Sequence, residues 1–179
     1  MIPRHGVRMP SWPCGRGHQA VGWDAEVVTV AFAIQTVVKV PPDRVFAASL
    51  SIEDHLASMA TSGEKAIGGV TVGRIGLGQS VTWRARHFGI SWTMTSQITE
   101  LDEPHRFVDA QLRGPFKTFR HEHSFRPIAD GTEMLDSITF QAPLGPLGWI
   151  AERLLLGRYL PHLIRQRNDY LKTALERGA

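Results

Sequence analysis

Between residues 80 and 142 the chain falls into five β-type runs with only short turn clusters between them. The runs are SVTWRARHFG (80–89), SWTMTSQITEL (91–101), HRFVDAQLR (105–113), KTFRHEHSFRP (117–127) and TEMLDSITFQA (132–142). Alternation with period two puts successive side chains on opposite faces of a strand. The connections are Gly89, Asp102-Glu103-Pro104, Gly114-Pro115 and Asp130-Gly131. They leave no room for crossover helices, so the strands are expected to run antiparallel as a meander. A sheet of this kind has an apolar face that something else must cover.

The flanks supply the cover. VVTVAFAIQTVVKV (27–40) is β-branched and reads as a strand. PPDRVFAASL follows, with two prolines at a helix start and Asp43 in the first turn, where the dipole favours a carboxylate. SIEDHLASMA opens on Ser51, an N-cap, with Asp54 at the capping-box distance, and reads as a second short helix. Residues 64–72 form a short strand before a bend containing Gly73, Gly76 and Gly78. The chain closes on PLGPLGWIAERLLLGRYLPHLIRQRNDYLKTALERG. There Ile150, Leu154, Leu160, Ile164, Leu171 and Leu175 form a broad apolar stripe, and Arg153, Arg165, Asn168 and Lys172 are read as lying off it. Pro161 is expected to kink or split this helix. The order is one strand, two short helices, six strands and one long helix. This is an α+β chain with a curved antiparallel sheet of about seven strands around a C-terminal helix, the one element long enough to cover the sheet.

The 179 residues, 42% of them hydrophobic, suffice for one domain with a sizeable core. Residues 1–25 are rich in Pro, Gly and Arg and are expected to form a flexible or loosely packed tail, with a single domain over 26–179. The net charge is only +3 and arginine is spread along the chain, so no nucleic-acid partner is expected. Cys14 is the single cysteine, which rules out an intrachain disulfide and a thiolate-rich metal site. No apolar run is long enough to span a bilayer and no secretory h-region is seen. A cytoplasmic protein without membrane insertion, a monomer or weak homodimer, is the expectation.

Four stretches carry a family resemblance: GGVTVGRIGLGQSVTWRARHFG (68–89), DEPHRFVDAQLRGPFKTFRHEHSF (102–125), GTEMLDSITFQAPLGPLG (131–148) and the closing helix to Leu171. With the order of elements, they resemble the SRPBCC or START-like superfamily of polyketide cyclase/dehydrase-like and birch-pollen-allergen-like proteins, nearest to a bacterial branch of small members. The resemblance implies a helix-grip fold and a small hydrophobic ligand, such as a lipid, polyketide or isoprenoid-like molecule, held between sheet and helix. Some members catalyse cyclisation or dehydration there, so the resemblance leaves open whether this chain is an enzyme.

The run FKTFRHEHSF (116–125) puts Phe119, His121, His123 and Phe125 on one face and Arg120, Glu122 and Ser124 on the other. A three-residue loop 114–116 pairs Leu112 with Thr118, Gln111 with Phe119, Asp109 with His121 and Phe107 with His123. The next hairpin pairs Phe125 with Met134, His123 with Asp136 and His121 with Ile138. One face then gathers Asp109, Gln111, His121, His123 and Asp136 among Phe107, Phe119, Met134 and Phe140, and the strand 80–89 adds Val81, Trp83, Ala85 and His87. With Leu154 from the helix, these are the candidate ligand-binding residues.

Buried carboxylates need partners, so the plainest reading is two structural pairs, His121 with Asp109 and His123 with Asp136. The same groups could orient the polar end of a ligand or, as His121, His123, Asp109 and Asp136, serve acid–base chemistry. His-x-His on a strand can also hold zinc. The register makes both aspartates partners of the imidazoles instead, so no metal and no cofactor is assigned. Arg84 and Arg86 are expected to face solvent, and His55 to lie at the surface or border the cavity entrance. The glycines at 73, 76 and 78 lack the Gly-Lys-Ser/Thr of a phosphate loop, and no Gly-x-Ser-x-Gly elbow is present.

Overall fold

The computed structural model describes residues 29–141 and 157–178. The expected tail and Leu154 lie outside these residues. Seven strands form one antiparallel sheet: β1 (Val30–Val38), β2 (Lys65–Gly69), β3 (Ser80–His87), β4 (Ile90–Asp102), β5 (Arg106–Arg113), β6 (Thr118–Ile128) and β7 (Gly131–Gln141). The order across the sheet is β1-β7-β6-β5-β4-β3-β2. Strands β2 to β7 are the expected meander, and β1 returns to pair along β7, from Val30↔Phe140 to Val38↔Thr132. Helices α1 (Pro42–Ser49) and α2 (Ile52–Ser58) lie between β1 and β2, and α3 (Gly157–Arg177) closes the chain. This is the helix-grip arrangement.

Local chemistry explains the junctions. Pro42 and Asp43 open α1, and the Ser51 hydroxyl accepts the Asp54 N–H at 3.1 Å to cap α2. Ile52 N–H donates to the Gly73 carbonyl at 2.9 Å and Ile75 N–H to that of Leu50 at 3.1 Å. The junction of the two helices is thereby tied to the glycine bend after β2. At the β6–β7 turn Gly131 has φ 140°, and a Cβ there would stand 2.2 Å from the Val38 carbonyl oxygen. Only glycine lets this turn reach β1.

The core lies where α1 meets the middle of the sheet. Phe46 is fully buried and packs edge-on against Phe107 and Phe125, with centroids 5.6 and 5.4 Å away. Val45, Leu50, Ile52 and Met134 join this cluster.

Helix α3 is held to β1 by polar contacts. Asn168 Nδ2 donates to Thr36 Oγ1 at 3.1 Å, Lys172 Nζ to the Val37 carbonyl at 2.5 Å, and Lys39 N–H to Glu176 Oε1 at 2.9 Å. Pro161 lies inside α3 without ending it. Its missing donor would have served Gly157, the first residue of the described helix.

Two expectations need correction. Asn168 is not off the stripe: it is buried, because it stands four residues after Ile164 and three before Leu171 on the face turned to the sheet. The β5–β6 ladder also stops earlier than the turn geometry implies. It contains Phe107↔His123 and Asp109↔His121 but ends at Ala110↔Arg120, so Gln111 and Leu112 are not paired with Phe119 and Thr118. The Gln111 amide instead takes the backbone of the loop, donating from Nε2 to the Phe116 carbonyl at 2.7 Å and accepting the Phe116 N–H at 3.3 Å.

Candidate functional site

A cavity of about 630 Å³ opens between the sheet, α2 and α3. Its apolar wall comes from Val81, Trp83 and Ala85 on β3, Met94 and Ile98 on β4, Ile52 of α2 and Met59 just after it, and Leu160, Leu163 and Ile164 on α3. Period two on β3 and β4 and period 3.6 on α3 turn these side chains toward the same space. Arg84 and Arg86 stand on the opposite face of β3, exposed.

Of the candidate residues, Trp83, His87, Phe107, Asp109, Phe119, His121 and His123 line this cavity. Gln111, Met134, Asp136 and Phe140 do not, for distinct reasons. Gln111 is committed to the loop backbone. Met134 sits in the core beneath α1. Phe140 packs edge-on against Phe116, which takes the place on the cavity wall. Asp136 is fully buried and bonded to Asn168 of α3. His55 is half-buried at the cavity: its ring stacks on Trp83 with centroids 4.2 Å apart, it pairs with Glu64 Oε1 at 3.0 Å, and both His55 and Glu64 line the cavity.

The polar groups cluster on β5, β6 and β7. The register is the expected one, with Asp109 opposite His121 and His123 opposite Asp136. The hydrogen bonds nonetheless run diagonally. His121 Nε2 pairs with Asp136 Oδ1 at 2.8 Å, and His123 Nε2 with Asp109 Oδ2 at 3.1 Å. The two rings lie over each other, with centroids 3.8 Å apart, so each reaches past its direct partner. The direct contacts are His121 Nδ1 to Asp109 Oδ2 at 3.8 Å and His123 Nδ1 to Asp136 Oδ1 at 2.8 Å. The latter has the distance of a hydrogen bond without its alignment, and His123 Nδ1 is left unbonded.

Helix α3 completes the cluster with two residues that the sequence reading does not find. Asn168 Nδ2 donates to Asp136 Oδ2 at 2.7 Å, and Arg167 Nη1 lies 3.5 Å from Asp136 Oδ1 while donating to Asn168 Oδ1 at 3.1 Å. Burial alone would raise the Asp136 carboxyl, but bonds from His121 and the charges of both imidazoles hold it well below the usual carboxylate range. Asp109 is only half-buried at the cavity wall, and against the rise that burial causes it is held low by His123, His121 and Arg167. Burial, with the neighbouring His123, lowers the His121 imidazole. His121 is thus neutral at neutral pH. Since an ionised carboxylate only accepts, its proton sits on Nε2 and its Nδ1 carries a lone pair.

At the other end His87 Nδ1 pairs with the Tyr159 hydroxyl at 2.7 Å, and burial lowers the His87 imidazole. This sets a β3 residue against the first described turn of α3.

A curved sheet gripping a helix around an apolar cavity with polar groups on one wall defines the helix-grip class of fold. The chain belongs to the family described as "Polyketide cyclase / dehydrase and lipid transport", whose model matches residues 29–176. The aromatase/cyclase ZhuI from a Streptomyces species is similar in structure, with TM-score 0.68 and 16% identity over 84% of this chain and 95% of its own. TTHA0849 from Thermus thermophilus gives 0.65 and 16% over 81% and 99%. Ara h 8.0201 gives 0.53 and 14% over 80% and 98%. At these identities the likeness is one of fold. A search of curated proteins finds no match. Among the described residues no helix is long and apolar enough to cross a membrane.

Proposed function

We propose that the chain binds a small hydrophobic molecule of lipid, polyketide or isoprenoid-like character in this cavity, with a polar end of the ligand against Asp109, His121, His123 and Arg167. One observation carries the reading: a cavity of about 630 Å³ that is apolar on β3, β4 and α3 and polar at the β5–β6 wall. That volume lies within the roughly 300–1,000 Å³ usual for small-molecule sites. Native mass spectrometry of the purified protein should find a retained small molecule, or a fluorescent apolar probe should bind one to one. Ala85→Trp, which fills the cavity from β3, should abolish probe binding while the protein melts normally. Probe binding unchanged in that variant would overturn the reading.

A second reading is a cyclase/dehydrase-type enzyme. It is favoured by one feature, a neutral imidazole at His121 on the cavity wall with a free lone pair and a carboxylate behind it. Turnover of an aromatic-polyketide precursor that disappears in a folded His121→Ala variant would support it. Tight binding without turnover favours the first reading.

A further inference from the structure

We propose that Asp109, His121 and His123 form a binding site for one divalent transition-metal ion of the zinc type, open to the cavity. The three residues come from adjacent strands, and one ligand atom from each lies within 4.8 Å of the others. The relevant atoms are Asp109 Oδ2, His123 Nε2 at 3.1 Å from it, and His121 Nδ1 at 3.8 Å. Zinc bonds of about 2.0–2.2 Å to nitrogen and oxygen place tetrahedral ligands about 3.4 Å apart. The two distances to Asp109 bracket that spacing.

The groups behind these atoms are the stronger argument. A metal-bound histidine ordinarily gives its far ring nitrogen to a carboxylate or carbonyl. Here both far nitrogens, His121 Nε2 and His123 Nδ1, lie 2.8 Å from a single oxygen, Asp136 Oδ1. Asp136 is in turn fixed by Asn168 and neighboured by Arg167. One fully buried carboxylate therefore stands behind both imidazoles, and their near nitrogens face a second carboxylate, Asp109, across a narrow gap. Were His123 to turn Nδ1 onto Asp136 as His121 does with Nε2, both near nitrogens would present lone pairs toward Asp109, and a cation between them would make that arrangement favourable. A proton on His123 Nε2 does so for one nitrogen. A metal ion does so for both, and aligning His123 on it would give the unbonded Nδ1 its bond to Asp136. All three ligands line the cavity, so a fourth position faces any molecule bound there, as in zinc sites that act on substrates. The site stands whatever else the cavity holds.

The test uses the full chain, stripped with a chelator and titrated with Co²⁺ and then Zn²⁺. One Co²⁺ per chain should bind, giving the intense visible bands of a four- or five-coordinate ion, and Zn²⁺ should erase them. Asp109→Asn, at a partly exposed carboxylate, and His123→Ala should abolish these bands, with circular dichroism and melting reporting the fold of each. Asp136→Asn, which leaves all three ligands in place, should weaken binding by about 10–100-fold. The weak spectrum of a six-coordinate, water-rich Co²⁺, or equal binding by wild type and folded Asp109→Asn, would overturn the proposal.

Discussion

Strand β6 carries a charged network on each face, and the two obey different physics. On the outer face Arg106 and Arg120 are linked with Glu100 and Glu122, through contacts such as Arg120 Nη2 to Glu122 Oε2 at 2.8 Å. Water reaches all four groups, so each pair contributes little. On the inner face His121 and His123 meet Asp109 and Asp136, and Asp136 has no exposure at all. There water cannot replace a missing partner, so the cluster is either complete or costly. The comparison shows why charged residues next to each other along one strand call for opposite expectations.

The largest effect expected is that of Asp136→Ala. It strands His121, Asn168 and Arg167 around a buried gap and should cost about 3–5 kcal/mol in urea unfolding. A loss below about 1 kcal/mol, the scale of an exposed pair, would mean that water enters the inner face as freely as the outer. Asn168→Leu comes next: it leaves Asp136 Oδ2 without its donor and should cost about 1–3 kcal/mol by the same measurement. The third test is pH. Burial lowers the His87 pKa from its ordinary value of 6.5, so the folded chain takes up this proton less readily than the unfolded chain. The stability from this group is present above 6.5 and is lost as pH falls through the folded-state pKa. Ring-proton NMR should give a His87 midpoint below 6.5, and a midpoint above it would contradict the desolvation. Smallest is Glu122→Gln on the outer face, expected to change stability by under about 1 kcal/mol and less still in high salt.

Much of this is legible in the sequence because strands impose parity. Once the loop at 114–116 joins two runs, the odd residues of β5 and β6 have to share a face, and the same step carries the register to Asp136 on β7. Parity does not say how far a side chain leans. Two imidazoles stacked 3.8 Å apart reach diagonally, and the pairs His121–Asp136 and His123–Asp109 replace the direct ones expected. Nor does it count what another element contributes. Polarity alone makes Asn168 look solvent-facing, although the spacing Ile164, Asn168, Leu171, Leu175 puts it on the apolar stripe. Arg167 carries no such signal, since an arginine on a helix is ordinarily a surface residue. The depth of Asp136, Met134 and Phe140 behind the cavity depends on which neighbours stand in front of them, and only tertiary packing decides that.

The Gln111 brace has a consequence for how this chain can drift. A Cβ on Gly114 would stand 2.3 Å from Gln111 Oε1 and 2.9 Å from Met94 Cγ, so a larger residue at 114 displaces the Gln111 side chain from its bonds to Phe116. A shorter side chain at 111 would free that space, but it would also release the backbone of Phe116, a residue of the cavity wall. The two positions are therefore epistatic. Their joint history, rather than that of the wall residues alone, sets the shape this end of the cavity offers, and neither of them is part of its lining.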